Sequence, residues 1–295
     1  MMKKFLLTGT LLLVALTIGA QIKVAPKMQK GMKKTYEVES ISVIGQQDMK
    51  MTMETQIEVK DATAEGYVVE SAVKATKVET DTTSIVGRMS ALTVNLTKDL
   101  VTSYVTDKNG QVLRLQDYEK SKKEAENLIG KLLESVQLPD MISKDMIAKT
   151  ALANVSEETM MNNVRMSNSP FALNGKTISN GMTDEFNTKE GIKMKRTYTV
   201  NADGSIQASS QMNMSQEDII QTLINMTSGM FPGQGDTVKD QITQMVKSGM
   251  LKLSATDNAT YTLGKDGWVE SITSETVTEC MGQRTSITTK AKLKK

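Results

Sequence analysis

The stretch MKMTMETQIEVK, residues 49–60, alternates apolar or small side chains with charged and polar ones. Successive side chains of a β-strand point to opposite faces, so a period of two predicts a strand with one packed face and one solvated face. Such strands belong to antiparallel sheets that are wet on one side. This stretch therefore predicts the kind of sheet that the rest of the chain has to complete.

The same β-branched, alternating character recurs along the chain, which predicts further strands at 67–78, 100–106, 194–200, 268–278 and 284–293. Three tight turns lie at 107–110, 201–204 and 264–267, and each ends in Asn-Gly or Asp-Gly. These dipeptides supply the positive φ that hairpin turns require.

Helix starts separate the strands. Ser121, Ser215 and Thr237 are each followed three residues later by an acid, and Ser156 precedes two glutamates. Single apolar stripes follow these caps. The order of elements predicts an α+β fold, in which amphipathic helices pack on one face of one or more curved antiparallel sheets.

A weak internal repeat suggests two tandem related modules. Gly31-Met32-x-x-x-Tyr36 recurs as Gly181-Met182-x-x-x-Phe186. Chance is the alternative, because strands that follow glycine turns look alike. We expect a first β module with helices at 21–170 and a second at 171–295, with the boundary near Ser169-Pro170.

Residues 1–20 are typical of an export signal, with Lys3 and Lys4 before an apolar stretch and Gly19-Ala20 at the cleavage site. After removal of this segment, the sequence predicts no transmembrane segment. The single cysteine, Cys280, allows no intramolecular disulfide. We expect an exported protein of the periplasm or the outer envelope surface.

The charge balance and the absence of histidine exclude several classes of function. The chain has 36 Lys and Arg, 34 Asp and Glu, and no His. Catalytic triads and histidine-ligated metals are therefore excluded, and we expect no metal or cofactor. Balanced charge argues against nucleic-acid binding. Four lysines at 290, 292, 294 and 295 are expected to lie on a strand edge that water solvates, where they discourage aggregation between sheets.

Methionine is the unusual component, with 22 residues. Its flexible thioether suits a pocket for a lipid-like ligand, although plain core filling explains an apolar stripe without any ligand. A cavity of roughly 300 Å³ or more between the methionine-rich strand and the helices would favour a ligand. The candidate apolar-ligand residues are Met49, Met51, Met53, Leu128, Leu132, Leu223, Met226, Met230 and Met245.

The signal ending in Gly19-Ala20-Gln21, the repeated Gly-Met entries and the hairpins before Val112 and Val269 resemble an exported family of Bacteroidetes that has no established activity. The resemblance implies an envelope location and a β-rich fold, and it offers no catalytic residue. By fold analogy, such sheets are similar to periplasmic lipoprotein carriers, which hold acyl chains between sheet and helices.

Together these features predict a non-catalytic envelope protein that binds an apolar ligand or a protein partner. A structural or assembly protein without ligand is the alternative. A carboxylate-dependent hydrolase is the third reading, although the acidic pairs 157–158, 184–185 and 217–218 are better explained as helix starts and turns.

Overall fold

A computed structural model describes residues 21–45, 47–83, 101–135, 155–188, 191–228, 235–280 and 282–294, together with six isolated positions between residues 84 and 154. The predicted signal at 1–20 lies outside the described residues.

Thirteen strands and four helices are present in this part of the chain. The strands are β1 Ile22–Lys23, β2 Lys33–Ile44, β3 Gln47–Ala62, β4 Gly66–Thr80, β5 Val101–Asp107, β6 Val112–Leu115, β7 Thr177–Ile178, β8 Thr183–Asn187, β9 Lys193–Val200, β10 Ile206–Met212, β11 Leu253–Leu263, β12 Val269–Cys280 and β13 Gln283–Leu293. The helices are α1 Tyr118–Ser135, α2 Glu157–Arg165, α3 Gln216–Ser228 and α4 Gly235–Lys247.

Eleven of the strands form one antiparallel sheet that does not close. Its order is β6-β5-β4-β3-β2-β13-β12-β11-β10-β9-β8, and β1 pairs separately with β7. The first and last long strands, β2 and β13, meet at the centre, where Lys292 lies opposite Glu37. The predicted β-rich α+β fold is confirmed, and strands from both halves of the chain share a single sheet.

The sheet is strongly curled. Helix α2 contacts both edge strands, β6 and β8. A cavity of about 100 Å³, which we name the edge cavity, has Val112 of β6 and Phe186 of β8 in its walls. In a flat sheet, ten strand spacings would separate these edges by about 48 Å. The sheet therefore curls until both edges reach the same helix.

Residues 155–176, which we name the inner segment, occupy the inside of this curl. They contain α2 and the loop that follows it. Leu173 is fully buried and packs in one cluster with Tyr198 and Tyr261 of the sheet. The ring centroids of Phe171 and Tyr104 lie 6.0 Å apart. The predicted module boundary near Ser169-Pro170 thus runs through the interior.

The three predicted hairpin turns are confirmed. Gly110, Gly204 and Gly267 have φ of +79°, +81° and +77°. At Gly267 a Cβ atom would also lie 2.6 Å from the carbonyl oxygen of Ala25. Glycine is required there both for its conformation and for the close approach of the amino-terminal segment.

Two predicted helix caps are confirmed. The backbone N–H of Thr159 donates to Ser156 Oγ at 3.2 Å, and that of Asp218 donates to Ser215 Oγ at 3.1 Å. The start predicted at Ser121 is wrong, because α1 begins at Tyr118. The carboxylate of Asp117 accepts the N–H of Lys120 at 3.1 Å and caps the helix one turn earlier.

The prediction that the lysines near the carboxyl terminus lie on a strand edge is wrong. Strand β13 is central, and Lys290 and Lys292 are exposed on its outer face, opposite Glu39 and Glu37 of β2. Lys294 pairs with Glu54. The outer face is therefore a solvated surface of mixed charge.

We expect Leu173→Ala to destabilise the protein by about 2–5 kcal/mol, because it empties a fully buried position between the inner segment and the sheet. Urea unfolding followed by the fluorescence of Trp268, which is buried, measures the effect. Leu113→Ala is the matched control, since Leu113 is 50% exposed. Equal losses in the two variants would contradict this account of the core.

Candidate functional site

The methionine-rich strand faces a cavity of about 260 Å³, which we name the β3 cavity. Its opposite wall is the inner segment, so the packed face predicted from residues 49–60 points inward. The lining residues are Tyr36, Val38, Ser40, Met51, Met53, Thr55, Ile57, Ser71, Tyr104, Asn163, Val164, Asn168, Ser169, Pro170, Phe171 and Thr289.

A larger cavity of about 480 Å³ lies over the second half of the sheet, and we name it the β12 cavity. Half of its lining side chains are apolar, and threonines supply most of the polar remainder. The lining residues are Asn163, Met166, Asn168, Phe186, Thr188, Ile192, Met194, Leu253, Ala255, Asp257, Thr276, Thr278, Cys280, Thr285, Ile287 and Thr289.

The two cavities are neighbours. Both are lined by Asn163 and Asn168 of the inner segment and by Thr289 of the central strand. The inner segment therefore lies across one wide apolar surface and leaves space on each side of Thr289.

The sizes of the two cavities agree with only part of the expectation drawn from the sequence. The cavity beside the methionine-rich strand is smaller than the roughly 300 Å³ that would favour a ligand there. The β12 cavity exceeds that size, but its walls come from β8, β9, β11, β12 and β13.

Met51 and Met53, which the sequence singled out, both line the β3 cavity. Met49 lies two residues before Met51 on the same face of β3 and is half-buried. It is not among the described residues that line the β3 cavity. The prediction that this face is packed is confirmed. Its role in binding a ligand stays a prediction.

Two of the helical candidates, Leu223 and Met245, do not line these cavities. Leu223 is fully buried, but it packs with Ile242, Val246 and Leu251 in the hairpin of α3 and α4. Met245 is 39% exposed. The stripes of α3 and α4 cover each other, because two adjacent amphipathic helices can bury their apolar faces together.

Of the remaining helical candidates, those whose side chains the structure describes do not line either cavity. Leu128 and Leu132 are half-buried on α1, away from both described cavities. The side chain of Met226 and all of Met230 lie outside the described residues.

The sequence missed the residues of the inner segment, chiefly Asn163, Asn168 and Phe171. A proline and several polar residues there indicated a linker. The apolar triplet Phe171-Ala172-Leu173 is the signal that could have placed this segment inside, since all three residues are buried.

One buried carboxylate lies in the wall of the β12 cavity. Asp257 is 2% exposed, and its Oδ1 accepts hydrogen bonds from Ser167 Oγ at 2.6 Å and Thr276 Oγ1 at 2.8 Å. Ser210 Oγ donates to its Oδ2 at 3.4 Å. These hydroxyls satisfy a charge that would otherwise be costly to bury.

A second polar cluster lies in the edge cavity, around Arg196, which is 1% exposed. Arg196 donates to Tyr198 Oη at 3.3 Å and to the carbonyl of Arg165 at 3.4 Å. Lys176 pairs with Asp184, whose buried Oδ1 finds no hydrogen-bond partner among the described residues. This cluster ties α2 to β8 and β9.

Tyrosine hydroxyls fasten the inner segment to the sheet. Burial raises the pKa of Tyr261 above its ordinary range, so the hydroxyl stays protonated and donates to the carbonyl of Ser167 at 2.8 Å. Burial also raises the pKa of Tyr104, in the wall of the β3 cavity, to about 12. Neither group changes its charge near neutral pH.

The arrangement can hold an apolar molecule on a surface that carries a band of hydroxyl groups. Among the described residues, no group of three or more His, Cys, Asp or Glu side chains is placed to hold a metal ion. Asp257 is the one carboxylate that the described walls of the β3 and β12 cavities contain.

Burial raises the pKa of the Cys280 thiol, which lies in the wall of the β12 cavity. Because the thiolate is the reactive form, alkylation of the folded protein should need a higher pH than alkylation in urea. The rate of reaction with iodoacetamide across a pH series measures this difference. An identical pH profile in both states would show that the thiol is freely solvated.

No described helix has the length and hydrophobicity needed to cross a membrane.

No protein-family model and no curated protein matches the chain. Solved structures that are similar to it include the following two. A structure devoted to lipid–protein interactions in lipovitellin has 9% identity and a TM-score of 0.40 over 91% of this chain. The chain spans 26% of the lipovitellin chain. A porin-like protein from Bacteroides uniformis has 10% identity and a TM-score of 0.18, with coverage of 88% of this chain and 95% of that one.

Proposed function

We propose that this is an exported, non-catalytic protein of the periplasm or outer envelope that binds a lipid-like apolar ligand in the β12 cavity and the adjoining β3 cavity. The observation that carries the proposal is the β12 cavity itself, about 480 Å³ of space inside the curled sheet, with walls in which half of the side chains are apolar.

Protein interiors are packed as densely as organic crystals, and voids larger than a water molecule are few. Much of this core obeys that rule, since Leu173, Ile206 and Tyr261 are fully buried. Ligand pockets, in contrast, are typically 300–1,000 Å³ in volume and mostly apolar. A space of this size therefore favours a bound molecule over a filled core.

An exposed apolar rim supports the same proposal. Ile287 lines the β12 cavity and is 38% exposed, and Ile44 on the neighbouring strand is 46% exposed. Ile44 is the last residue of β2 and pairs with Thr285, two residues before Ile287, so both side chains lie near one end of these strands on the inner face. A lipid-like ligand entering there would cover them.

The same rim favours the second candidate, a structural or assembly protein whose partner covers Ile44 and Ile287. A hydrolase ranks third, because carboxylate catalysis of glycoside cleavage uses two facing acids and Asp257 has no second carboxylate beside it in the described walls.

We also propose that the modules at 21–170 and 171–295 arose by duplication. The entries into β2 and β8 make matching hydrogen bonds. The Gly31 N–H donates to the Val59 carbonyl at 2.8 Å, and the Gly181 N–H donates to the Tyr198 carbonyl at 2.9 Å. Both glycines have positive φ.

Narrowing the β12 cavity should weaken binding. Thr278→Phe places a ring in the cavity, whereas Thr273→Phe makes the same change on the exposed outer face of the same strand. We expect wild type and Thr273→Phe, purified from their native envelope, to carry lipid detectable by native mass spectrometry. Thr278→Phe should carry at least about tenfold less.

Alkylation of Cys280 provides a second readout, since bound ligand shields a thiol in the same wall. Lipid extraction should raise the alkylation rate in wild type and leave that of Thr278→Phe unchanged. Wild-type protein that carries no lipid and shows no change on extraction would remove the ligand-binding proposal and leave the assembly role.

A further inference from the structure

We infer that Asp257 sets the charge class of the ligand, so that the β12 cavity accepts apolar molecules with an uncharged head and disfavours those that end in a carboxylate or phosphate. This inference rests on the proposed function, because it concerns the same cavity.

Asp257 presents negative charge to the cavity. It lies in the wall, is 2% exposed, and accepts hydrogen bonds from the hydroxyls of Ser167, Thr276 and Ser210. All three partners are neutral, so they stabilise the carboxylate without cancelling its charge. In an interior of low effective dielectric, a second anion nearby is repelled more strongly than it would be in water.

The buried cation on the same row of the sheet lines the edge cavity and is linked to Asp257 through one hydroxyl. Arg196 lies two strands from Asp257, and its Nε donates at 3.4 Å to Ser210 Oγ, the hydroxyl that donates to Asp257 Oδ2. The Cζ of Arg196 lies 4.2 Å from the centroid of the Phe186 ring. Phe186 lines both the β12 cavity and the edge cavity, whereas Arg196 lines the edge cavity.

The Phe186 ring therefore stands between the guanidinium and the larger cavity. A cation over an aromatic face is stabilised by the ring, which keeps Arg196 in this position. The wall of the β12 cavity therefore contains the carboxylate of Asp257, whereas the Phe186 ring separates the guanidinium from that wall.

The remaining polar groups suit a neutral head. Thr188, Thr278, Thr285 and Thr289 line the cavity, and a hydroxyl can both donate and accept a hydrogen bond. An alcohol, ester or amide can pair with such groups without bringing a charge next to Asp257.

The test compares decan-1-ol with decanoate, which have the same chain and differ in the charge of the head. Isothermal titration calorimetry on delipidated full-length mature protein at neutral pH gives both dissociation constants. We expect wild type to bind decan-1-ol at least about tenfold more tightly.

Asp257→Asn keeps the shape of the side chain and removes its charge, so it should bring the two affinities to within about threefold. Glu275→Gln is the matched control. It removes one carboxylate from β12 on the exposed outer face and should leave the ratio unchanged.

Phe186→Leu tests the same idea without altering Asp257. Loss of the ring opens Arg196 to the cavity and should strengthen decanoate binding relative to decan-1-ol. Equal wild-type affinities for the two ligands, or a ratio unchanged in both variants, would overturn this inference while the cavity still binds. If neither ligand binds or slows alkylation of Cys280, the proposed function fails with it.

Discussion

The contact of one short helix with both edges of the sheet is the constraint on which the rest of the structure depends. Helix α2 touches β6 and β8, which stand at opposite ends of an eleven-strand order. Because both edges must reach nine residues of helix, the sheet has to curl, and its packed face becomes an interior. The inner segment fills only part of that interior. The β3 and β12 cavities are the space left on either side of it.

The polar contacts of the inner segment follow from this closure. Lys176 and Asp184, both half-buried, pair beside Arg196 where the inner segment meets the edge of the sheet, and Asp257 accepts a hydrogen bond from Ser167 of the same segment. Such contacts contribute little net stability, since desolvation offsets much of their attraction. Each of these contacts requires a particular geometry, however, so together they fix the position of the inner segment against the strands. The packing of Leu173 and its neighbours supplies the stability.

The local pattern of residues 49–60 was sufficient to predict a strand, its packed face and the methionines that line a cavity. The caps at Ser156 and Ser215 were predictable for the same reason, because each depends on residues three positions apart. The pairing of β2 with β13 depends on residues some 250 positions apart, and no local pattern encodes it. The helical stripe of Leu223 was detected correctly and assigned to the wrong partner, since periodicity shows that a face is buried and not what covers it.

The pairing of β2 with β13 also has a consequence for biosynthesis. Until β13 has left the ribosome, β2 has a long unpaired side with free N–H and C=O groups in the middle of the future sheet. Such a chain remains an aggregation hazard until that strand pairs. A nascent chain truncated before residue 283 would lack the strand that joins the two halves of the sheet.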